Sequence, residues 1–173
     1  MNYSLRRLTR NDAEAYRAIR LEALISHPEA FGASPEAFAE RSLDDLREQM
    51  DRLAFFGAET DDGELAGIIA YIRDTGERER HRGWLIQVYL KPSMRRTGCA
   101  QALIEAAVEH ARTEVLQVHL GVGAHNAPAI RLYQKAGFAI YGTDPRALFV
   151  NGRFIDEHLM VRFLDKAPGD QND

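Results

Sequence analysis

The feature that most constrains this 173-residue chain is a strand, a glycine turn and an amphipathic helix in direct succession. Trp84 to Leu90, WLIQVYL, is too continuously apolar for a half-exposed strand and suits the centre of a covered sheet. The turn Arg95-Arg96-Thr97-Gly98-Cys99-Ala100 follows. Leu103, Ile104, Ala107, Val108 and Ala111 then form a stripe at 3.6-residue spacing, which predicts a helix from Ala100 with one buried face. A strand running through glycine into a helix start is phosphate-binding architecture. The free N–H groups of the first helical turn point at an anion, the helix dipole favours negative charge, and small residues let the ligand approach the backbone. Arg95 and Arg96 add donors for charge-assisted bonds to a diphosphate. A glycine turn with solvated arginines is the plainer alternative. The loop lacks the Gly-Lys-Ser/Thr of a P-loop and the G-x-G-x-x-G of a dinucleotide fold.

The remaining elements fit around this unit. Tyr3 to Leu8 reads as a strand, Thr9 to Asp12 as a capping box, and Tyr16, Ile19, Ala23 and Leu24 as the apolar face of a first helix that ends in HPEAFGASP. Pro35 to Leu53 reads as one second helical region, acidic on its solvent side. FFGAET, Asp61-Asp-Gly63 and Glu64 to Arg73 form a predicted hairpin. After the loop-helix unit come the strand LQVHLGV and a helix from about Asn126 to the stop at Ala136-Gly137. Two strand-like runs joined by Asn151-Gly152 close the chain. Strands and helices alternate in the middle with hairpins at both sides, which predicts an α/β, mixed α+β domain: a central mixed sheet of about six to seven strands with about four helices. It is expected to occupy residues 1–164, with 165–173 a disordered tail.

Composition narrows the function. A formal charge of −4 and a pI near 5.9 give no footprint for DNA or RNA, so no nucleic-acid partner is expected. Cys99 is the single cysteine, which rules out an intrachain disulfide and a cysteine metal cluster, and His27, His81, His110 and His158 show no metal spacing; no metal is expected. No run approaches the ~18 to 20 apolar residues of a membrane span, and the first dozen residues lack the apolar core of a secretory signal. No membrane partner and a cytoplasmic location are therefore expected.

Two motifs together carry a family resemblance. Arg95-x-x-Gly98-x-Ala100 after a strand, followed by Asn126, Ala129, Leu132, Tyr133, Gly137 and Phe138 in NAPAIRLYQKAGF, resembles the GNAT N-acetyltransferase superfamily over nearly the whole chain. The resemblance implies acetyl-CoA as co-substrate and transfer of its acetyl group to a small-molecule or peptide amine, with a homodimer left open. It implies that the strand backbone near Gln87, at Val88, Tyr89 and Leu90, pairs with the pantetheine arm. Arg95, Arg96, Thr97, Gly98, Cys99, Ala100 and Gln101 would hold the pyrophosphate, Asn126 would bond the arm besides capping its helix, and Tyr133 would be the general acid. A phenol beside a leaving thiolate is sensible chemistry, since protonating sulfur as charge develops eases its departure. Without the resemblance, Tyr133 is a core aromatic and Cys99 a small filler. No general base is evident: where some relatives carry a glutamate, this chain has Trp84, and Gln87 is no base. His119 and His125 read as structural. The acceptor cleft is expected between Phe31–Glu36 and Asp144–Phe154. A non-catalytic acyl-CoA sensor would keep Arg95 to Ala100 but has no use for Tyr133.

Overall fold

The computed structural model describes residues 2–165; the expected disordered tail, apart from Asp165, lies outside the described residues. In chain order the elements are β1 (Tyr3–Leu8), α1 (Ala13–Ser26), α2 (Pro35–Ala39), α3 (Leu43–Arg52), β2 (Ala54–Thr60), β3 (Leu65–Arg73), β4 (Arg82–Leu90), α4 (Cys99–Ala111), β5 (Gln117–Gly123), α5 (Ala127–Lys135), β6 (Ala139–Val150) and β7 (Arg153–Phe163). The seven strands form one sheet in the order β1-β2-β3-β4-β5-β7-β6. Every neighbouring pair is antiparallel except β4 and β5, which run parallel. A parallel pair cannot be closed by a tight turn and needs a crossover. Here the crossover is α4 together with the glycine loop.

Both sides of the sheet are covered near its centre. On one side Leu103, Ile104, Ala107 and Val108 of α4 pack with Ile69, Leu85, Val118 and Leu120, and Tyr133 and Phe138 join the same cluster. On the other, Tyr16, Ile19, Ala23 and Leu24 of α1, Phe38 of α2, and Leu46 and Met50 of α3 pack with Phe55, Ile68 and Ala70. Each fully buried Leu, Ile or Phe contributes roughly 1.5–3 kcal/mol. The strand buried on both faces is β3, whose residues Leu65 to Tyr71 are all buried. β4, expected in that role, is buried only at alternate positions and then loses even that alternation. Its open face borders a cavity.

The acidic second helical region is two helices. Ser42 starts α3 by accepting from the Asp45 N–H at 3.1 Å, while the Asp45 carboxylate accepts from the Ser42 N–H at 2.9 Å. This reciprocal capping box satisfies two orphan donors and forces a break after α2. At the other end of the chain, Asn151 (φ +50°) and Gly152 (φ +76°) both take the left-handed conformation. A two-residue hairpin turn that follows the twist of its strands requires this.

Candidate active site

The site begins with a fault in β4. Ile68 and Ala70 of β3, two residues apart, pair with Tyr89 and Ile86 of β4, three residues apart. The extra residue makes a β-bulge, and Gln87 sits in it at φ +57°. A left-handed non-glycine residue is costly unless it is held. Here the Tyr16 hydroxyl donates to Gln87 Oε1 at 2.6 Å. The parallel ladder stops short of the fault: β4 and β5 pair only at Arg82–Trp84 with Gln117–His119. The two strands diverge from there, leaving main-chain donors and acceptors of β4 free in the wedge. A cavity of about 960 Å³ fills it.

The glycine loop closes one end of this cavity. Pro92–Met94 makes a single tight turn, Arg96 takes φ +64°, and Gly98 caps α4 at φ +86°. Thr97 staples the loop: its hydroxyl donates to the Met94 carbonyl at 2.7 Å and accepts from the Cys99 N–H at 3.3 Å. Arg95, Arg96, Gly98, Ala100 and Gln101 line the cavity, so the first turn of α4 and two guanidinium groups face the same space. Arg95 Nη2 also lies 3.2 Å from His27 Nε2.

On the opposite wall, Asn126 caps α5 by accepting from the Ala129 N–H at 3.2 Å. α5 thereby presents Tyr133 inward, 7 % exposed, edge-on to Phe138 at 6.2 Å and lining the cavity. Desolvation pushes its phenol up to about 12. Such a group is fully protonated at neutral pH, which is the state a proton donor needs.

Ten of the twelve residues singled out from the sequence therefore surround one cavity: Val88, Tyr89, Leu90, Arg95, Arg96, Gly98, Ala100, Gln101, Asn126 and Tyr133. Thr97 and Cys99 do not line it. Thr97 is spent on the loop. Cys99 is wholly buried in the cluster beneath α4, and desolvation pushes its thiol up to about 11. A thiol that is both buried and protonated is a poor nucleophile. Cys99 is accordingly expected to resist iodoacetamide in native protein at pH 8 and to react fully in denaturant; modification of the native form, read by mass, would contradict its placement in the core.

The sequence did not point to His27, which lines the cavity, nor to the Gln87 bulge. His125 and Glu29 line both this cavity and a side branch of about 580 Å³. Gly123 makes the room for His125: a Cβ there would meet the imidazole at 2.7 Å. Of the expected acceptor segments, Phe31 lines the main cavity, and Val150, Asn151, Arg153 and Phe154 line the side branch. The acids of α2 and α3 line neither. Asp45 caps its helix and Asp44 pairs with Arg47 at 2.8 Å, which makes theirs a solvated face. His119 is structural: it is buried, its ring lies 5.1 Å from Trp84, and its Nδ1 is 3.2 Å from the Tyr141 hydroxyl. Among the described residues no cluster of three His, Cys, Asp or Glu side chains could hold a metal, and no helix is long and apolar enough to cross a membrane.

A split parallel pair bridged by a glycine loop at a helix start is a fold-level signature, and comparison with known proteins decides the family. The family model for the Acetyltransferase (GNAT) family matches residues 18–138. This chain belongs to the GNAT family. A GNAT-family acetyltransferase structure from Streptococcus pneumoniae superposes with a TM-score of 0.83 at 24% identity, covering 94% of this chain and 100% of that one. The structure of yncA from Salmonella typhimurium with its cofactor acetyl-CoA gives 0.83 at 20% identity, covering 99% of this chain and 100% of the other. These likenesses show the GNAT fold. In sequence, the mycothiol acetyltransferase of Nocardiopsis dassonvillei is 30% identical over 138 residues, 77% of this chain and 41% of that protein. The L-amino acid N-acetyltransferase AaaT of Escherichia coli is 37% identical over 67 residues, 38% of this chain and 41% of that protein. This GNAT chain thus spans about two fifths of the length of these relatives.

Proposed function

We propose that this chain transfers the acetyl group of acetyl-CoA to the primary amine of a small molecule or peptide by direct attack. The observation that carries the reading is the position of Tyr133. Its protonated phenol lies in the wall of the same cavity that the open edge of β4 and the first turn of α4 border. The residues suit the donor substrate. Free main-chain groups of β4 fit the amides of a pantetheine arm, as a sheet edge accepts an added strand. The α4 N-terminus with Arg95 and Arg96 fits a diphosphate. In the reaction, the amine nitrogen forms a bond to the thioester carbonyl carbon and the carbon–sulfur bond breaks. Tyr133 gives its proton to the departing thiolate, and the proton of the amine goes to water. A sensor of acyl-CoA without catalysis would need the loop alone, and a buried phenol facing the cavity favours the enzyme.

The test is a screen of amine and hydroxyl acceptors with acetyl-CoA, read by thiol release and by mass of the product. N-acetylated product is expected. Turnover confined to hydroxyl acceptors would overturn the amine assignment, and tight coenzyme A binding with no turnover of any acceptor would favour the sensor. Relatives named as mycothiol, L-amino acid and spermidine acetyltransferases keep both anionic and cationic acceptors in the screen.

A further inference from the structure

Arg20 is the one arginine among the described residues that is buried, at 5% exposed. It lies on α1 one turn after Tyr16 and shares its inward face with Ile19, Ala23 and Leu24. Buried guanidinium groups are normally paired, because desolvating a charge without a partner is costly. Even the half-buried Arg162 is paired, bonding Glu105 at 2.8 Å and the Ala136 carbonyl at 2.9 Å. Arg20 is not: among the described residues it forms no ion pair, and its enclosed Nη1 has no hydrogen-bond partner. The neighbouring charge that also acts on the Tyr16 hydroxyl is Arg41, another cation. What touches the Arg20 guanidinium is the ring of Phe31, 4.4 Å away.

Its neighbours locate this cation just behind the cavity wall. Phe31, stacked on it, lines the cavity, and so does Gln87, which Tyr16 holds one turn earlier on the same face of α1. Glu29 and His125, which connect the cavity to its side branch, share that lining with Phe31, whereas Phe31 is no part of the glycine loop. Arg20 itself lines neither space; it stands directly behind Phe31, one side chain away from the region left for the acceptor. Fixed, planar and desolvated, it suits a carboxylate, which it can bind through two parallel N–H···O bonds.

We propose that Arg20 anchors a carboxylate of the acceptor, so that the amine acetylated here belongs to an α-amino acid. A polyamine would instead bring like charge to an unpaired buried cation. The assignment rests on the acetyl-transfer reading given above and names its substrate class. Phe31 has a part in it: its ring holds the guanidinium in place by cation–π contact.

The experiment compares the twenty standard L-amino acids with spermidine and with 3-methylbutylamine and phenethylamine, the decarboxylated counterparts of leucine and phenylalanine. It measures kcat/KM by thiol release and, separately, affinity by calorimetry with coenzyme A present. At least one amino acid is expected to exceed the amines lacking a carboxylate by on the order of 10²- to 10³-fold, the usual discrimination of a site whose buried charge would otherwise stay unpaired. In Arg20→Met the ratio should fall to within about threefold, mainly through KM, while Arg20→Lys keeps part of it. Equal use of amines with and without a carboxylate would overturn the anchor and leave acetyl transfer standing. Carboxylate-dependent binding without turnover would leave the anchor and sink acetyl transfer. Neither binding nor turnover of any amino acid would overturn the anchor. The comparison in the unsubstituted protein is decisive even where Arg20→Met does not fold, and a ratio unchanged in a folded Arg20→Met variant would assign Arg20 to packing alone.

Discussion

Tyr133→Phe will lower kcat by ~10²- to 10⁴-fold, the usual contribution of a general acid, with coenzyme A affinity and melting temperature close to those of the unsubstituted protein. The substitution removes one hydroxyl and keeps the ring that packs edge-on to Phe138, so the core between α5 and β6 should not notice it. Its pH signature is specific. A general acid acts while protonated, and the Tyr133 phenol is pushed up to about 12. Activity that depends on it is therefore complete at neutral pH and is lost only as pH rises through that value. The variant should show uniform loss between pH 6 and 10, with the shape of the profile unaltered. Wild-type kcat in a folded variant of unchanged affinity would remove Tyr133 from the mechanism and favour the sensor. Loss of folding would make the hydroxyl structural.

Gly98→Asp is expected to abolish most coenzyme A binding in a folded protein. Gly98 has φ +86°, which favours glycine, but aspartate and asparagine are the side chains that tolerate this region best. An added Cβ meets no atom within 4 Å, and Gly98 lines the cavity, so the new carboxylate would stand in the space assigned to the diphosphate. Like charges about 4–5 Å apart at an effective dielectric near 20 repel by roughly 3–4 kcal/mol, a loss on the order of 10²- to 10³-fold in affinity. Gly98→Asn has the same shape and strain without the charge, and should lose much less. Calorimetry on both variants separates the two causes. Equal affinities for Asp and Asn would show that the diphosphate does not lie at the α4 N-terminus.

The parts of the site that could be read in advance are those whose information is local. The α4 stripe, the Asn126 cap, the Gly137 stop and the Asn151-Gly152 turn each announce themselves within a few residues, and the arrangement of Arg95 to Gln101 follows from a strand meeting a helix. The Gln87 bulge depends on a hydroxyl 71 positions earlier in the chain and on the mismatch with β3, and glutamine carries no mark of a left-handed backbone. The break between α2 and α3 was legible, because Ser42 and Asp45 stand at capping-box spacing, but the acidic periodicity ran across it. Arg20 was legible in part. It falls within the stripe Tyr16, Ile19, Ala23, Leu24, yet a charged residue in a helix is ordinarily solvated, and only the packing of Phe31 over it shows otherwise. For Thr97 and Cys99, residue type and place in the loop do not say which way a side chain turns.

The bulge also bears on how firmly the molecule holds together. Three residue pairs are all that join β4 to β5, so the ladder that should link the N-terminal strands to the C-terminal ones is short in the middle of the sheet. A ligand chain lying along the free edge of β4 would supply missing rungs, and binding to the native state alone raises stability by RT ln(1 + [L]/Kd). At a hundredfold excess over Kd this is about 2.7 kcal/mol. On the acetyl-transfer reading proposed above, the donor substrate is a structural strut as much as a reactant, and saturating acetyl-CoA is expected to keep more of this protein folded.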